Sequence, residues 1–251
     1  MKRLVSLVVV GHLLCGLSLA TADEVTLVGP GGIRCPIDRL IPDFESKTGH
    51  KVKPTIGSGG GTHQQVVRGQ PFDVPIVQPP YADVLESGNV LASTETPLGT
   101  VAVVVAVRRG TAKPDISTPD AVKRLLLSAK AISYPNGAGG AAAGVSFDAT
   151  LTKLGILDQM QPKVKRVQGV SLMKLLTNGD IDFAVTFASE VDDPGVEIVG
   201  PLPRDVSTPT ALVGFISSHA KAPEAAKALL AYLSGSEAAT AYKACHMQPG
   251  R

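Results

Sequence analysis

The chain has 251 residues, with 24 Lys+Arg against 22 Asp+Glu, 18% charged residues, 4% aromatics and no tryptophan. That length is enough for one large domain or two small lobes with a full hydrophobic core. The composition excludes a disordered polyelectrolyte, a collagen-like fibre and a disulfide-dense miniprotein and, because a single apolar run is long, a polytopic membrane protein.

That run is N-terminal. Lys2 and Arg3 precede the apolar stretch Leu4 to Leu19, and Ala20-Thr21-Ala22 closes it, which is the pattern of a secretory signal cleaved after Ala22. Cys15 is not read as a lipidation site, because Leu14 rather than a small residue precedes it. Without residues 1–22 the chain loses two basic and no acidic residues and is close to neutral. No Lys/Arg cluster is interleaved with stacking aromatics, so nucleic acid is not an expected partner. Cys35 and Cys245 remain in a compartment that permits disulfides; they can pair, and sequence alone leaves the pairing open.

Val25 to Gly29 predicts a strand, Pro30-Gly31-Gly32 a turn, and Ile33 to Lys47 an amphipathic helix in which Pro36 suits the first turn and Pro42 predicts a kink or break. Lys51 to Ile56 predicts a second strand, Gly57 to Gly61 a glycine loop, Thr62 to Arg68 a short helix and Phe72 to Gln78 a third strand. A helix over Tyr81 to Ser87 follows. Leu98 to Val107 is too apolar for an exposed edge and predicts a buried strand able to cross between lobes.

The second block predicts a helix over Pro119 to Lys130 opening at Ser117/Thr118, a strand over Ala131 to Tyr134, and a small-residue loop, Asn136 to Gly144, feeding a helix over Val145 to Leu154. Lys163 to Val167 predicts a strand, Ser171 to Asn178 a helix and Ile181 to Phe187 a strand, an alternation that implies a second parallel α/β sheet. A strand over Leu212 to Ser217 and two alanine-rich helices, Pro223 to Leu233 and Ser236 to Ala244, complete the chain. The expected division is a first lobe of residues 23–100 plus 205–251 and a second of 101–204. Sites are expected at strand C-termini and helix N-termini facing the cleft between them.

Gly57-Ser58-Gly59-Gly60-Gly61-Thr62 stands between a predicted strand and a predicted helix, where glycine amides can converge on an anion at the positive helix end. A tight turn with no ligand is the alternative. The run lacks the Lys-Ser/Thr of a nucleotide phosphate loop, and no dinucleotide fingerprint with a ribose-binding acid is present. Pro30-Gly31-Gly32 and the loop containing Gly139, Gly140 and Ala141 repeat the arrangement. Arg34 falls in a first helical turn, where a cation opposes the dipole and a carboxylate ligand would relieve it; a solvated arginine is the other reading. His63 sits at a helix N-terminus that favours the neutral imidazole, making it a candidate base or, alternatively, an exposed helix histidine. No histidine or cysteine spacing suggests a metal or cofactor, and no nucleophile-elbow motif appears.

The segments VTLVGPGG (25–32), FESKTGHKV (44–52), IGSGGGT (56–62), GQPFDVPIV (69–77) and NGDIDFAVTF (178–187) resemble the periplasmic molybdate-binding proteins of ABC transporters over essentially the whole chain after residue 22. The resemblance implies an α/β, two-lobed type II periplasmic binding-protein fold, two crossovers and a small anion in a central ligand cleft. In that family hydroxyls and backbone amides hold the oxyanion. Here Pro30-Gly31-Gly32 replaces the expected first-turn serine, Ser58-Gly59 replaces a Ser-Ser pair, and Phe187 stands near the expected tyrosine.

GPGGIR (29–34) and GSGGGTHQQV (57–66) look like the aconitate isomerase branch of this family. That branch implies a cofactor-free periplasmic isomerase interconverting trans- and cis-aconitate by allylic proton transfer. The expected partner is a polycarboxylate bound by a monomer with no stable membrane association. An ABC permease is expected only if the chain is instead a receptor for molybdate, tungstate or a small carboxylate. The expected binding set is Gly31, Gly32, Arg34, Ser58, Gly59, Gly60, Gly61, Thr62, Gln78, Gly139, Gly140 and Ala141. His63 and Arg34 are the expected catalytic residues, and Cys35 is a second base candidate if its thiol is free.

Overall fold

Strand β1 (Glu24–Pro30) buries Val25, Leu27 and Val28 and delivers the chain, through a 3-10 turn at Gly31–Ile33, into helix α1 (Arg34–Thr48). The computed structural model describes residues 22–166 and 171–250. The leader expected over residues 1–22 lies outside these, apart from Ala22, as does Val167 of the strand expected at Lys163 to Val167. Helix α1 does not break at Pro42. A proline inside a helix costs about 3 kcal/mol, but Ile37, Leu40 and Phe44 are buried on the opposite face, each contributing about 1.5–3 kcal/mol. Pro42 faces solvent, as does Asp38, whose carbonyl would have received the missing bond. Gly49, at φ 77°, closes the helix with its N–H on the Glu45 carbonyl.

Strand β2 (Lys51–Gly57) is an edge, which is why it tolerates Pro54. Then come α2 (Gly59–Val67), β3 (Val74–Val77), α3 (Ala82–Glu86) and β4 (Thr96–Val101). The glycine run is not a loop: α2 begins at Gly59, with Ser58 as its N-cap accepting from the Gly61 N–H. The apolar stretch from Leu98 to Val107 is two strands. It changes sheet at Ala102, where β4 hands over to β5 (Val103–Arg108).

Beyond β5 come α4 (Pro119–Ser128), β6 (Ile132–Ser133), α5 (Ala142–Lys153), α6 (Leu157–Met160), α7 (Leu172–Asn178), β7 (Phe183–Phe187) and β8 (Val196–Pro201). In place of the strand expected from Lys163, Gln161–Lys163 forms a 3-10 turn and Val164 makes an isolated bridge to Ile132. The chain ends with β9 (Thr210–Gly214), α8 (Pro223–Ser234), α9 (Ala238–Ala244) and β10 (Gln248–Pro249).

The strands form a six-stranded sheet, β10-β4-β9-β3-β1-β2, and a four-stranded sheet, β6-β7-β5-β8. Both are mixed. In the first, β1 is parallel to β2 and β3, whereas β9 is antiparallel to β3 and β4. In the second, β6 and β7 are parallel and β5 is antiparallel to both its neighbours. The all-parallel second sheet expected from the alternation is therefore corrected: β5 arrives directly from the other sheet and not through a β-α-β crossover. The return connection, between β8 and β9, gives a second crossover beside the first. This is the two-lobed α/β architecture, with the β1 and β3 ends facing the second lobe.

Two long-range ties secure the first lobe. Asp73, 2% exposed, accepts from the Thr26 N–H at 2.8 Å, the Thr26 hydroxyl at 2.6 Å and the Lys221 and Ala222 amides at 2.6 and 3.1 Å. It thereby pins β1 to the start of α8. Cys35 and Cys245 form a disulfide with their Cα atoms 5.9 Å apart, tying the first turn of α1 to the end of α9.

Candidate functional site

Where β1 and β2 end, Pro30, Gly31, Gly32, Gly57, Ser58 and Gly59 present one wall of a cavity of about 60 Å³. Gln78, just after β3, adds the floor, and the second lobe supplies Pro135, Ala141–Ala143 at the start of α5, Phe187 and Glu190. The lobes touch directly around it. The Gly60 N–H donates to the Gly140 carbonyl at 2.9 Å, and the Ser189 hydroxyl donates to the Gly32 carbonyl at 2.8 Å.

Glycine makes this approach possible. A Cβ on Gly59 would lie 2.6 Å from Gln78 Oε1 and 3.0 Å from Ala142 Cβ, and one on Gly60 would lie 3.2 Å from Gly140 Cα. Gly140 itself takes φ 83°, a left-handed conformation that a side chain would strain. The glycine run therefore acts chiefly as a contact surface between lobes. The amides of Gly60 and Gly61 are spent on Gly140 and on the Ser58 hydroxyl, so they do not converge on the cavity as an anion cradle would require.

Gln78 is 9% exposed, and neither its Oε1 nor its Nε2 has a hydrogen-bond partner. Thr62, 1% exposed, likewise has an unpartnered hydroxyl and lies behind Gly57. Leaving a buried polar group unpaired costs about 1–3 kcal/mol, and a ligand that donates and accepts would recover this at Gln78. Opposite, Glu190 closes a 3-10 turn after β7. One of its oxygens accepts from the Thr186 hydroxyl, and the other would lie 3.0 Å from a Cβ on Gly31. Burial pushes the Glu190 carboxyl above the ordinary range, with the Thr186 hydroxyl and the Phe187 backbone partly offsetting it and the Asp192 charge adding to it.

Gly31 and Glu190 also line a wider groove of about 980 Å³, which continues outward between α1 and the β7–β8 connection. Arg34, Arg39 and Arg109 border this groove. The expected site residues thus divide. Gly31, Gly32, Ser58, Gly59, Gln78 and Ala141 are gathered at the cavity, Gly60 and Gly140 at the contact beside it, and Arg34 in the outer groove. Gly61 and Thr62 sit in the first turn of α2, and Gly139 packs against Asn136.

His63 is not brought to the cavity: its Nε2 lies 2.8 Å from Asp83 Oδ2 on α3. Cys35 is held in the disulfide and has no thiol to ionise. Among the described residues no cluster of metal-ligating side chains occurs, and no helix is long and apolar enough to cross a membrane.

Residues 25–248 match the family model described as bacterial extracellular solute-binding protein. The chain belongs to this family. Its relatives include an aconitate isomerase from a Pseudomonas species, 30% identical over 98% of this chain and 97% of the relative. The molybdate-binding protein ModA of Azotobacter vinelandii is 28% identical over 97% and 96% of the two chains. Among solved structures, the periplasmic molybdate-binding protein of A. vinelandii superimposes with a TM-score of 0.71 at 20% identity, covering 89% of this chain and 98% of that one. The sulfate-binding protein SubI of Mycobacterium tuberculosis does so at 0.69 and 18%, covering 90% and 87%. These likenesses fix the two-lobed binding-protein fold, and a solute-binding protein of this family takes its ligand as a small molecule.

Glu190 is the cleft residue that motif reading passes over. The available signal was positional: it lies three residues past Phe187, at the C-terminal end of a strand, where sites gather in sheets of this kind.

Proposed function

We propose that this solute-binding protein is a periplasmic isomerase that interconverts trans- and cis-aconitate in the cleft between its lobes. The observation that carries the reading is the cavity wall itself, where an unpartnered buried amide at Gln78 accompanies the titratable carboxyl of Glu190. That pairing suits a carboxylic acid undergoing proton transfer better than a tetrahedral oxyanion, which would call for a ring of donors. Whole-length similarity to an aconitate isomerase supports the same reading.

The cavity as it stands has room for a few water molecules. A tricarboxylate therefore reaches past Gly31 and Glu190 into the outer groove, or the lobes part to admit it. In the first case one carboxylate lies near Gln78 and Ser58 while another meets Arg34, the bidentate donor at the groove. Closure across the Gly60–Gly140 and Ser189–Gly32 bonds then excludes water. The ABC-transporter receptor reading has the family match and the molybdate-binding relative in its favour; against it stand Phe187 and Glu190 on the wall that would face an oxyanion.

The deciding experiment is a proton NMR time course of the purified protein with trans-aconitate in deuterated water, run beside thermal shifts with molybdate, tungstate and citrate. Appearance of cis-aconitate with enzyme-dependent deuterium uptake supports the isomerase. No turnover, together with marked stabilisation by molybdate or tungstate, returns the chain to the transport receptors.

A further inference from the structure

Building on the isomerase reading, we propose that Glu190 is the acid–base residue of this site. It takes a proton from the methylene carbon of the bound tricarboxylate and returns one to the vinylic carbon of the same allylic unit. Among the described residues that line the inner cavity, Glu190 is the one titratable side chain. It is also shared with the outer groove, so it stands where a tricarboxylate reaching outward from the inner cavity would pass.

Its position is held from both lobes. Thr186, 1% exposed on β7, donates its hydroxyl to one Glu190 oxygen, leaving the other directed toward Gly31 of the opposite lobe. The neighbouring Ser189 donates to the Gly32 carbonyl, so closing the lobes fixes the turn that carries the carboxyl. The groove side is bordered by Arg34, Asp38 and Arg39 of α1 and by Arg109, Asp192 and Glu197 of the second lobe. Burial of the carboxyl raises its proton affinity, in the direction that brings a weak carboxylate base nearer to the pH at which it works.

The step balances without a co-reactant. The Glu190 carboxylate removes the methylene proton, and the C–H electron pair enters the allylic system, delocalised into the adjoining carboxylate. The double bond shifts by one carbon. The protonated Glu190 then supplies the proton that forms the new C–H bond at the former vinylic carbon, and the carboxylate is regenerated. Nothing is oxidised or reduced. Gln78, whose Nε2 is unpartnered, is placed to donate to the carboxylate that accumulates charge.

The test compares wild type, Glu190→Gln, Glu190→Asp and Thr186→Val in deuterated water with trans-aconitate, with tricarballylate, which has no double bond to shift, as the binding probe. Glu190→Gln is expected to lose at least about 100-fold in turnover and deuterium uptake while tricarballylate still stabilises it. Glu190→Asp, which keeps a carboxyl, is expected to exceed Glu190→Gln in turnover. Thr186→Val is expected to lower kcat with little change in KM. Turnover of Glu190→Gln within a few-fold of an active wild type, or equal turnover in the Asp and Gln variants, overturns the assignment and leaves the isomerase standing. A wild type inactive on both aconitates sinks the assignment and the isomerase together.

Discussion

Asp73 in the first lobe and Glu190 in the cleft are carboxyls drawn away from water, yet their surroundings push them in opposite directions. Burial raises both, but at Asp73 the Thr26 hydroxyl, the Thr26 amide and the Ala222 and Lys221 amides overcome it and hold the acid below its ordinary range. At Glu190 burial prevails over the Thr186 hydroxyl and the Phe187 backbone. The difference is the supply of donors. A carboxyl that fastens two elements is fully furnished by the protein. One that faces a cavity is left short, and a ligand can complete it. Gln78 follows the second pattern with an amide.

The sharpest way to break this contrast is Asp73→Ala, which strands four donors between β1 and α8. Chemical denaturation is expected to show a loss of about 3–4 kcal/mol, with the ligand-induced shift unchanged in whatever fraction folds. Glu190→Gln is expected to move the other way, gaining about 0.5–2 kcal/mol near neutral pH, because it removes a carboxyl that the site disfavours ionising.

The two carboxyls also predict opposite pH signatures. The stabilisation from Asp73, whose folded pKa is lowered, is complete above the ordinary aspartate range and disappears as pH falls through the lowered value. The contribution of Glu190, whose folded pKa is raised, is complete below the ordinary glutamate range and disappears as pH rises through the raised value. Melting curves from pH 3 to 9 should therefore show the Asp73→Ala deficit growing from acid to neutral. The Glu190→Gln advantage should grow as pH rises from the ordinary glutamate range to the raised value and stay level beyond it. Equal pH slopes in wild type and Glu190→Gln would contradict the assigned direction.

A smaller gain, about 1 kcal/mol, is expected for Gln78→Leu in the unliganded protein, because it removes an unpaired buried amide. The same change should abolish most of the thermal shift given by tricarballylate. A destabilised Gln78→Leu would mean that the amide is paired in solution. Arg34→Ala should change stability least, since the side chain is exposed, while raising KM several-fold if a distal carboxylate reaches the groove.

The parts of this design legible in the sequence are those written in local pattern. The strand, glycine and helix order locates Gly31, Ser58, Gly59 and Gln78 near one cleft, and the apolar run from Leu98 to Val107 announces a chain passing between lobes. What is not legible depends on partners far along the chain. Asp73 meets amides 148 and 149 residues away, and Cys35 meets Cys245 across a separation of 210. His63 is misplaced by local pattern too, because α2 begins at Gly59 and so carries His63 beyond its first turn, where the ring meets Asp83 on α3. The antiparallel entry of β5 reflects where the chain comes from and not what its residues prefer. Glu190 lies in between: its place just past a strand end is visible in the sequence, but its standing as the one titratable side chain among the described residues of the inner cavity is not.

The most direct test of the central claim, that the inter-lobe cleft holds a polycarboxylate between Gln78 and Glu190, is a crystal structure of the protein with tricarballylate. One carboxylate is expected within hydrogen-bond distance of the Gln78 amide and the central carbons beside Glu190, with the distal end toward Arg34. Tricarballylate bound away from both Gln78 and Glu190, with the cleft between the lobes holding none, would contradict it.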